Sequence, residues 1–325
     1  MMLFSIIVPV YNRPEEMDEL LYSLCHQTDK LFEVVVMEGV CERSCRKVCE
    51  EYQNEVEIQF HRLDTGRSER RNEGMRLAKG DYFVLLDSDV TLPNDYIEKL
   101  RKALTDNYVD CFGGPDTMND SFSPMQRAVN FAMTSMLTTG GIRGRMKDKS
   151  KYMPRAFNMG FSREVFEKTG GYVDMIGEDT DLSLRIREAG FTVRLIPEVF
   201  VYHKRRIDLK GLYRQVNTFG KARVLLSKRH KGSPKLTHLL PACFVMGPLL
   251  LLVLALAWSW WFVLPILLYV VTLFVDAFRQ SKDLKTTMLS VVASYTQLTA
   301  YGLGFMEELV THKAEKQAAE KLYRQ

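Results

Sequence analysis

The sequence predicts an α/β fold, a mixed and mostly parallel sheet flanked by helices, continued by C-terminal transmembrane helices. Three observations carry this. Apolar β-branched runs alternate with helical patterns over the first hundred residues. The runs are unbroken rather than alternating, as in strands covered on both faces. Near the C-terminus, residues 239–275 contain no charged side chain at all.

In chain order, "FSIIVPV" (Phe4–Val10) reads as the first strand, and Pro14 opens a helix through Leu20, Leu21 and Leu24. Residues 32–37 form a second strand, with a helix near 44–52. Residues 56–60 are a short third strand, and 68–78 a helix with Met75, Leu77 and Ala78 among its charges. Tyr82–Leu86 is the fourth strand and 95–104 the helix after it. Further on, 181–189 is helical, and 192–196 and 199–202 read as strands. "GGIRGRMKDKS", Gly-rich and basic, reads as a mobile loop. No internal repeat or low-complexity tract is present.

At about 1.5 Å per residue, residues 239–275 are too long for one crossing of an apolar layer about 30 Å thick. They fit a hairpin of two spans, about 239–257 and 260–278, turning at "AWSWW". The competing reading is a buried helical hairpin of a soluble protein; the span lengths favour the membrane. A third segment, about 286–306, is uncharged but softer, with Ser290, Ser294, Thr296, Gln297 and Thr299. It either spans or lies in the interface. The expected organisation is a catalytic domain at 1–207, a basic linker helix at 208–237, a membrane domain at 238–306 and a polar tail at 307–325. Lys and Arg crowd the stretch before the hairpin, which the positive-inside rule holds in the cytoplasm. "MMLFSIIVPVY" is too short and lacks the basic start of a signal peptide. The expected location is the cytoplasmic (inner) membrane, multi-pass, with the catalytic domain in the cytoplasm.

A net charge of +4 gives no indication of nucleic-acid binding. The six cysteines are expected as thiols in a reducing compartment. Cys41, Cys45 and Cys49 recur every four residues but lack the paired spacing of zinc modules, which favours packing over metal binding.

The chemistry gathers where strands end. "YFVLLDSDV" drives an apolar strand into Asp87 and Asp89. In open α/β sheets, ligands bind beyond the carboxyl ends of the strands. Two carboxylates so close repel unless a cation joins them, and a hard divalent ion, Mg²⁺ or Mn²⁺, suits. The pattern alone also fits a turn capping the next helix. His203, ending "FVYH", is a candidate third ligand, since imidazole suits Mn²⁺; a packed or exposed histidine is the alternative. Arg67, Arg70 and Arg71 sit one helix earlier, and arginine forks grip diphosphate oxygens. Of the three, Arg70 is the one expected on a solvated face. In "GEDTD", Asp179 at a helix start is either a cap or a base for an acceptor hydroxyl, with Glu178 orienting it or the substrate. Asp181 is expected at the surface or as a cap.

Taken in order, these segments resemble glycosyltransferase family 2 and its Rossmann-like GT-A fold. The resemblance rests on "FSIIVPVYNRPEEMDELLYSLCHQT", "FEVVVMEGVCERS", "GRSERRNEGMRLAKGDYFVLLDSDV", "FNMGFSREVFEKTGGY" and "GEDTDLSLRIREAGF", and covers about residues 4–203. It implies that Pro9 and Tyr11 line the base pocket and Glu38 contacts base or ribose. Gly39 stands where a second acid is common. Arg71 falls on the Arg of the family's Arg-Asn pair, Asp87 holds ribose or metal, and Asp89 holds the metal. Asn158, Met159 and Gly160 fall in the acceptor loop. Asp179 becomes the catalytic base of an inverting displacement.

The membrane hairpin directs the expected acceptor towards a lipid-linked glycan, with a nucleotide-sugar as donor and membrane lipids as partners, in surface polysaccharide assembly. Two alternatives stand beside this reading. One is a polyprenyl-phosphate glycosyltransferase, whose phosphate acceptor needs no base. The other, of a different class, is a catalytically silent nucleotide-sugar-binding membrane scaffold. A processive synthase is disfavoured, because Phe219 follows Gln215 where such enzymes carry Q-x-x-R-W.

Overall fold

The computed structural model describes residues 2–117, 122–139, 152–204, 207–230 and 238–312. The Gly-rich loop expected to be mobile, at 140–150, lies outside the described residues. The chain divides into two compact units. One comprises Met1–Asn119 and Gly144–Lys204, the other Asp120–Arg143 and Arg205–Gln325.

The first unit is built on a seven-stranded sheet. Its strands are β1 (Phe4–Val10), β2 (Phe32–Glu38), β3 (Ile58–Arg62), β4 (Tyr82–Leu86), β6 (Cys111–Gly113), β8 (Asn158–Ser162) and β9 (Val193–Leu195). Their order is β3-β2-β1-β4-β8-β6-β9. The first four run parallel, and β8 is antiparallel to both β4 and β6. Every residue of β1, β2 and β4 is buried, as their largely apolar composition requires, and the buried Ser5 donates to the buried Glu33 at 2.7 Å. Pro9 is tolerated in central β1 because it pairs with Met37 of β2, while the ladder to β4 has already ended at Ile7.

Helices α1 (Pro14–Cys25), α2 (Arg46–Tyr52), α3 (Arg67–Leu77) and α4 (Tyr96–Asp106) supply the crossovers. In α1, Pro14 opens the first turn, and Met17, Leu20, Leu21 and Leu24 bury one stripe against the sheet. Each such leucine contributes about 1.5–3 kcal/mol by leaving water. A second, small sheet has the order β5-β10-β7, from Val90–Thr91, Val201–His203 and Asp116–Thr117. Helices α7 (Arg163–Thr169) and α8 (Glu178–Glu188) complete this unit.

The second unit is helical. It contains α5 (Pro124–Thr134), α6 (Met136–Thr139), α9 (Leu209–Arg229), α10 (Leu240–Ala257), α11 (Leu264–Ser281) and α12 (Leu284–Thr311). A 3₁₀ turn at Trp260–Val263 joins α10 to α11. Thus residues 124–139, inside the span expected for the catalytic domain, pack with the C-terminal helices. Ser123 and Gln126 form a reciprocal capping box that starts α5. Helix α12 is the hub, touching α5, α9, α10 and α11. It buries Thr286, Thr287, Ser290, Ser294, Gln297 and Glu308, and Ser290 and Ser294 donate back to carbonyls one turn earlier at 2.7 Å. Gly220 of α9 and Gly304 of α12 lie where a Cβ would strike the other helix's backbone, so both positions demand glycine's bareness.

Among the described residues two helices are long and apolar enough to cross a membrane: Leu240–Ala257, with mean hydropathy 2.4, and Trp260–Ser281, with 2.2. None of α10 is buried, and Leu256, Trp258, Trp260 and Trp261 are exposed. A bare apolar surface of this kind marks contact with lipid or protein. The softer segment at 286–306 lies in α12 and is not among the two.

Candidate active site

Two side-chain clusters form beyond the carboxyl end of β4. Asp87 and Asp89 begin them, one on each side of Ser88.

The first centres on Arg71, which α3 carries into the interior with 1% of its surface exposed. Its Nη2 donates to Asp87 Oδ1 at 2.6 Å and its Nη1 to Glu178 Oε1 at 3.0 Å. Arg67 donates to the same Glu178 oxygen at 2.8 Å, and the Arg71 guanidinium lies 5.1 Å from the Tyr172 ring centre. Burial alone would depress the Arg71 pKa. Asp87, Tyr172, Glu178 and Asp179 outweigh it, and the net shift is upward. Glu178 is therefore tied to arginines rather than to Asp179. Asp179 Oδ1 accepts from its own Thr180 N–H at 2.6 Å, while Oδ2 lies 3.7 Å from Arg155. It retains a side-chain exposure of 20%.

The second cluster centres on Asp89. The register of the small sheet assembles it: His203 pairs with Val90, and Val201 with Asp116. Asp89 therefore meets His203, with His203 Nε2 3.3 Å from Asp89 Oδ1, close enough for an ion pair but without hydrogen-bond alignment. Asp116 Oδ2 stands 3.7 Å from His203 Nδ1. Arg13 donates to Asp89 Oδ2 at 2.7 Å. Burial by itself would raise the Asp89 carboxyl pKa. His203 and Arg13 overcome that and hold it well below the usual carboxylate range.

Among the described residues no three His, Cys, Asp or Glu side chains already stand as a metal cage. Asp87 turns to Arg71, so the expected ligand trio of Asp87, Asp89 and His203 is not gathered at one point. Asp89 with His203 does fit a hard cation. A buried carboxylate oxygen that makes no hydrogen bond among the described residues faces an imidazole nitrogen, a donor pair better suited to Mn²⁺ than to Mg²⁺.

Several expectations need correction. Asn158, Met159 and Gly160 are not an accessible acceptor loop: they form β8, buried between β4 and β6. Asn158 accepts from Tyr96 Oη at 2.7 Å and donates to Val199 O at 2.9 Å, a staple inside the core. Glu38 is fully buried; its oxygens accept from Cys45 N–H at 2.6 Å and Ser44 Oγ at 2.8 Å, so it folds the loop behind it. Arg70 is not on a solvated face but buried; the more exposed arginine of the three is Arg67. Asp181 is also buried, paired with Arg185 at 2.8 Å.

Pro9 lies buried at the end of β1 and Tyr11 exposed just beyond it, beside a cleft lined by Tyr11, Asn12, Val40, Cys41 and Glu42. Cys45 and Cys49 are buried, and burial first, then the Glu38 charge on Cys45 and the neighbouring Cys45 on Cys49, push both thiols up to about 12. That suits packing, since a metal-bound thiol must lose its proton.

Sequence reasoning missed Arg13, Asp116 and Arg155. Arg13 sits next to Pro14 at a helix start, and a cation there opposite an acidic pair was the available signal. Asp116 lies in a two-residue strand too short to read.

Comparison with known proteins gives concordant results. Residues 5–170 match the family described as Glycosyl transferase family 2. An uncharacterized glycosyltransferase of Haemophilus influenzae is 29% identical over 207 residues, covering 62% of this chain and 67% of the relative. The succinoglycan biosynthesis protein ExoA of Rhizobium meliloti is 28% identical over 195 residues, 58% of this chain and 57% of the relative. Poly(ribitol-phosphate) beta-N-acetylglucosaminyltransferase TarS of Staphylococcus aureus is 36% identical over 104 residues, 30% of this chain and 17% of the relative. The chain thus spans from under a fifth to about two thirds of these relatives. Among solved structures, the mannosyltransferase PcManGT of Pyrobaculum calidifontis, in complex with GDP-Man and Mn²⁺, superposes with a TM-score of 0.60 at 17% identity, covering 96% of this chain and 88% of that one. TarS 1–349 superposes with a TM-score of 0.51 at 14% identity, covering 95% and 91%. The fold is GT-A-like.

Proposed function

We propose a function on one premise: the chain belongs to glycosyl transferase family 2. It moves a sugar from a nucleotide-sugar donor to a hydroxyl of a lipid-linked glycan at the cytoplasmic face of the membrane, with inversion, in polysaccharide assembly. The observation that carries this is the pair of clusters at one strand end, a buried arginine network beside a carboxylate oxygen that faces an imidazole without a hydrogen bond. The names of ExoA and TarS, and the donor and ion bound to PcManGT, support the polymer, nucleotide-sugar and metal parts of the reading.

The first unit is the catalytic portion and the second the membrane-associated one, with α10 and α11 as the spans. Tyr11 offers a face on which the base stacks. Arg67, the exposed arginine, holds positive charge where a diphosphate would leave, and Asp87 and Glu178 fix the buried Arg71 beside it. Asp179 takes the proton of the acceptor hydroxyl as its oxygen attacks the anomeric carbon and the bond to the nucleoside diphosphate breaks. Thr180 N–H holds one Asp179 oxygen, and the other, 3.7 Å from Arg155, receives the proton. Asp89 and His203 would hold a divalent cation, which when bound offsets charge on the departing diphosphate.

The test is a donor panel with a bacterial lipid extract as acceptor, with and without EDTA. Label should pass from donor to lipid, and EDTA should stop it. Transfer only to water-soluble acceptors would remove the lipid-linked part of the proposal, and binding without any turnover would favour a silent scaffold.

A further inference from the structure

Arg70 of α3 is buried, with 7% of its surface exposed, yet it has no carboxylate partner among the described residues. Its Nη1 donates to Val10 O at 3.3 Å, a weak bond, and its buried Nε has no partner among them. The two charges that bear on it most, Arg67 and Arg71, carry the same sign. Burial first, then those two arginines, lower its pKa; a guanidinium nonetheless keeps its proton at neutral pH. A cation held this way is costly unless something else completes its bonding.

The surroundings say what completes it. The guanidinium lies 5.9 Å from the centre of the Tyr11 ring and against Gly39. A Cβ at position 39 would fall on Arg70 Nη1 and within 2.9 Å of Tyr11 Cδ2. Arg70 therefore takes the space a side chain at 39 would use. Tyr11, with Asn12, Val40, Cys41 and Glu42, lines an open cleft of ≈ 460 Å³. Glu38, fully buried, is engaged by Ser44 and Cys45 and by Arg62 at 3.5 Å. The strand ends that would present an acid to a base present a hydrogen-bond donor instead.

We infer that Arg70 and Gly39 together set the base selectivity of the donor site, with Arg70 donating to a carbonyl on the edge of a base stacked against Tyr11. This rests on the nucleotide-sugar reading above. A guanidinium can only donate, so it pairs with the carbonyl at C4 of uracil or C6 of guanine and meets a like donor in the amino group that cytosine or adenine carries at that position. The site should therefore prefer keto over amino bases, within the pyrimidines and within the purines alike.

The experiment measures dissociation constants of UDP, CDP, GDP and ADP by calorimetry on the full chain in detergent, with Mg²⁺ present. UDP should bind roughly tenfold tighter than CDP, and GDP roughly tenfold tighter than ADP. Arg70→Ala should bring both ratios to within about twofold, while Arg70→Lys retains part of them. Gly39→Ala, which displaces the guanidinium without deleting it, should also shrink both ratios and guards against a folding defect in the first variant. Equal binding of keto and amino partners by the parent protein overturns the inference, as does a preference that survives Arg70→Ala. So does a preference that moves with Glu42→Gln instead. Binding of none of the four nucleotides overturns the donor-site reading as well, and so separates the two failures.

Discussion

The crevice has two halves that share Ser88 and little else. Around Arg71 both neighbouring acids are answered: Asp87 and Glu178 accept from one guanidinium that is 1% exposed, although its Nε has no partner among the described residues and Asp87 keeps 26% of its side chain exposed. Around Asp89 the bonding is incomplete, with an oxygen that faces His203 without a hydrogen bond. Both halves descend from the same "DSD" step at the end of an apolar strand. The difference teaches that a paired-acid motif can divide its work. One carboxylate anchors a buried arginine; the other keeps an oxygen without a hydrogen bond among the described residues.

Four experiments break or sharpen that contrast. The largest effect falls on Asp179, beside the closed half. Asp179→Asn should cut kcat by about 10²- to 10⁴-fold while the donor KM changes little, as removal of a general base requires. A near-normal rate would point to a phosphate acceptor, which needs no base. Next, Arg71→Met leaves Asp87 without its cation and Glu178 with Arg67 alone. Equilibrium urea unfolding should show a loss of about 3–5 kcal/mol, the cost of breaking a buried pair. A variant as stable as the parent would show that the network is not a closed anchor.

The open half predicts a different signature. Asp116→Asn removes the carboxylate beside His203 Nδ1, a positioning role. It should weaken Mn²⁺ binding by about 10- to 100-fold, read by titration of the ion, with the urea midpoint nearly unmoved. Stability loss without a change in metal affinity would place Asp116 with the anchors instead. The smallest effect is a control outside both halves. Asn158→Ala should destabilise by about 1–3 kcal/mol by orphaning Tyr96 Oη and Val199 O, yet leave the acceptor KM as it was. An acceptor KM that rises would restore the acceptor role read from the sequence.

The sheet was legible wherever apolar runs were long. β1, β2 and β4 announce themselves because strands buried on both faces admit no polar alternation. The second sheet was not legible, because strands of two or three residues such as Asp116–Thr117 have no period to detect. That sheet is what brings Asp116 and His203 to Asp89. Helix α3 hid its phase for another reason: Ser68, Arg70, Arg71 and Asn72 are all polar and all buried, so hydrophobicity says nothing about which arginine points inward. β8 was misread because "FNMGF" is an antiparallel insertion between β4 and β6, and an antiparallel strand in such a sheet looks locally like any loop-borne segment. The two apolar C-terminal helices were plain from composition, whereas the hub role of α12 lies in its serines and threonines turning back on their own helix.

The turn between α10 and α11 has a practical consequence. The chain's three tryptophans are Trp258, Trp260 and Trp261, and all sit there, the last two stacked with ring centres 4.3 Å apart. Intrinsic emission excited at the indole band therefore reports on that one place. Vesicles whose acyl chains carry bromine at successive carbons would turn the quenching profile into a ruler, giving the height of the hairpin's tip without any label.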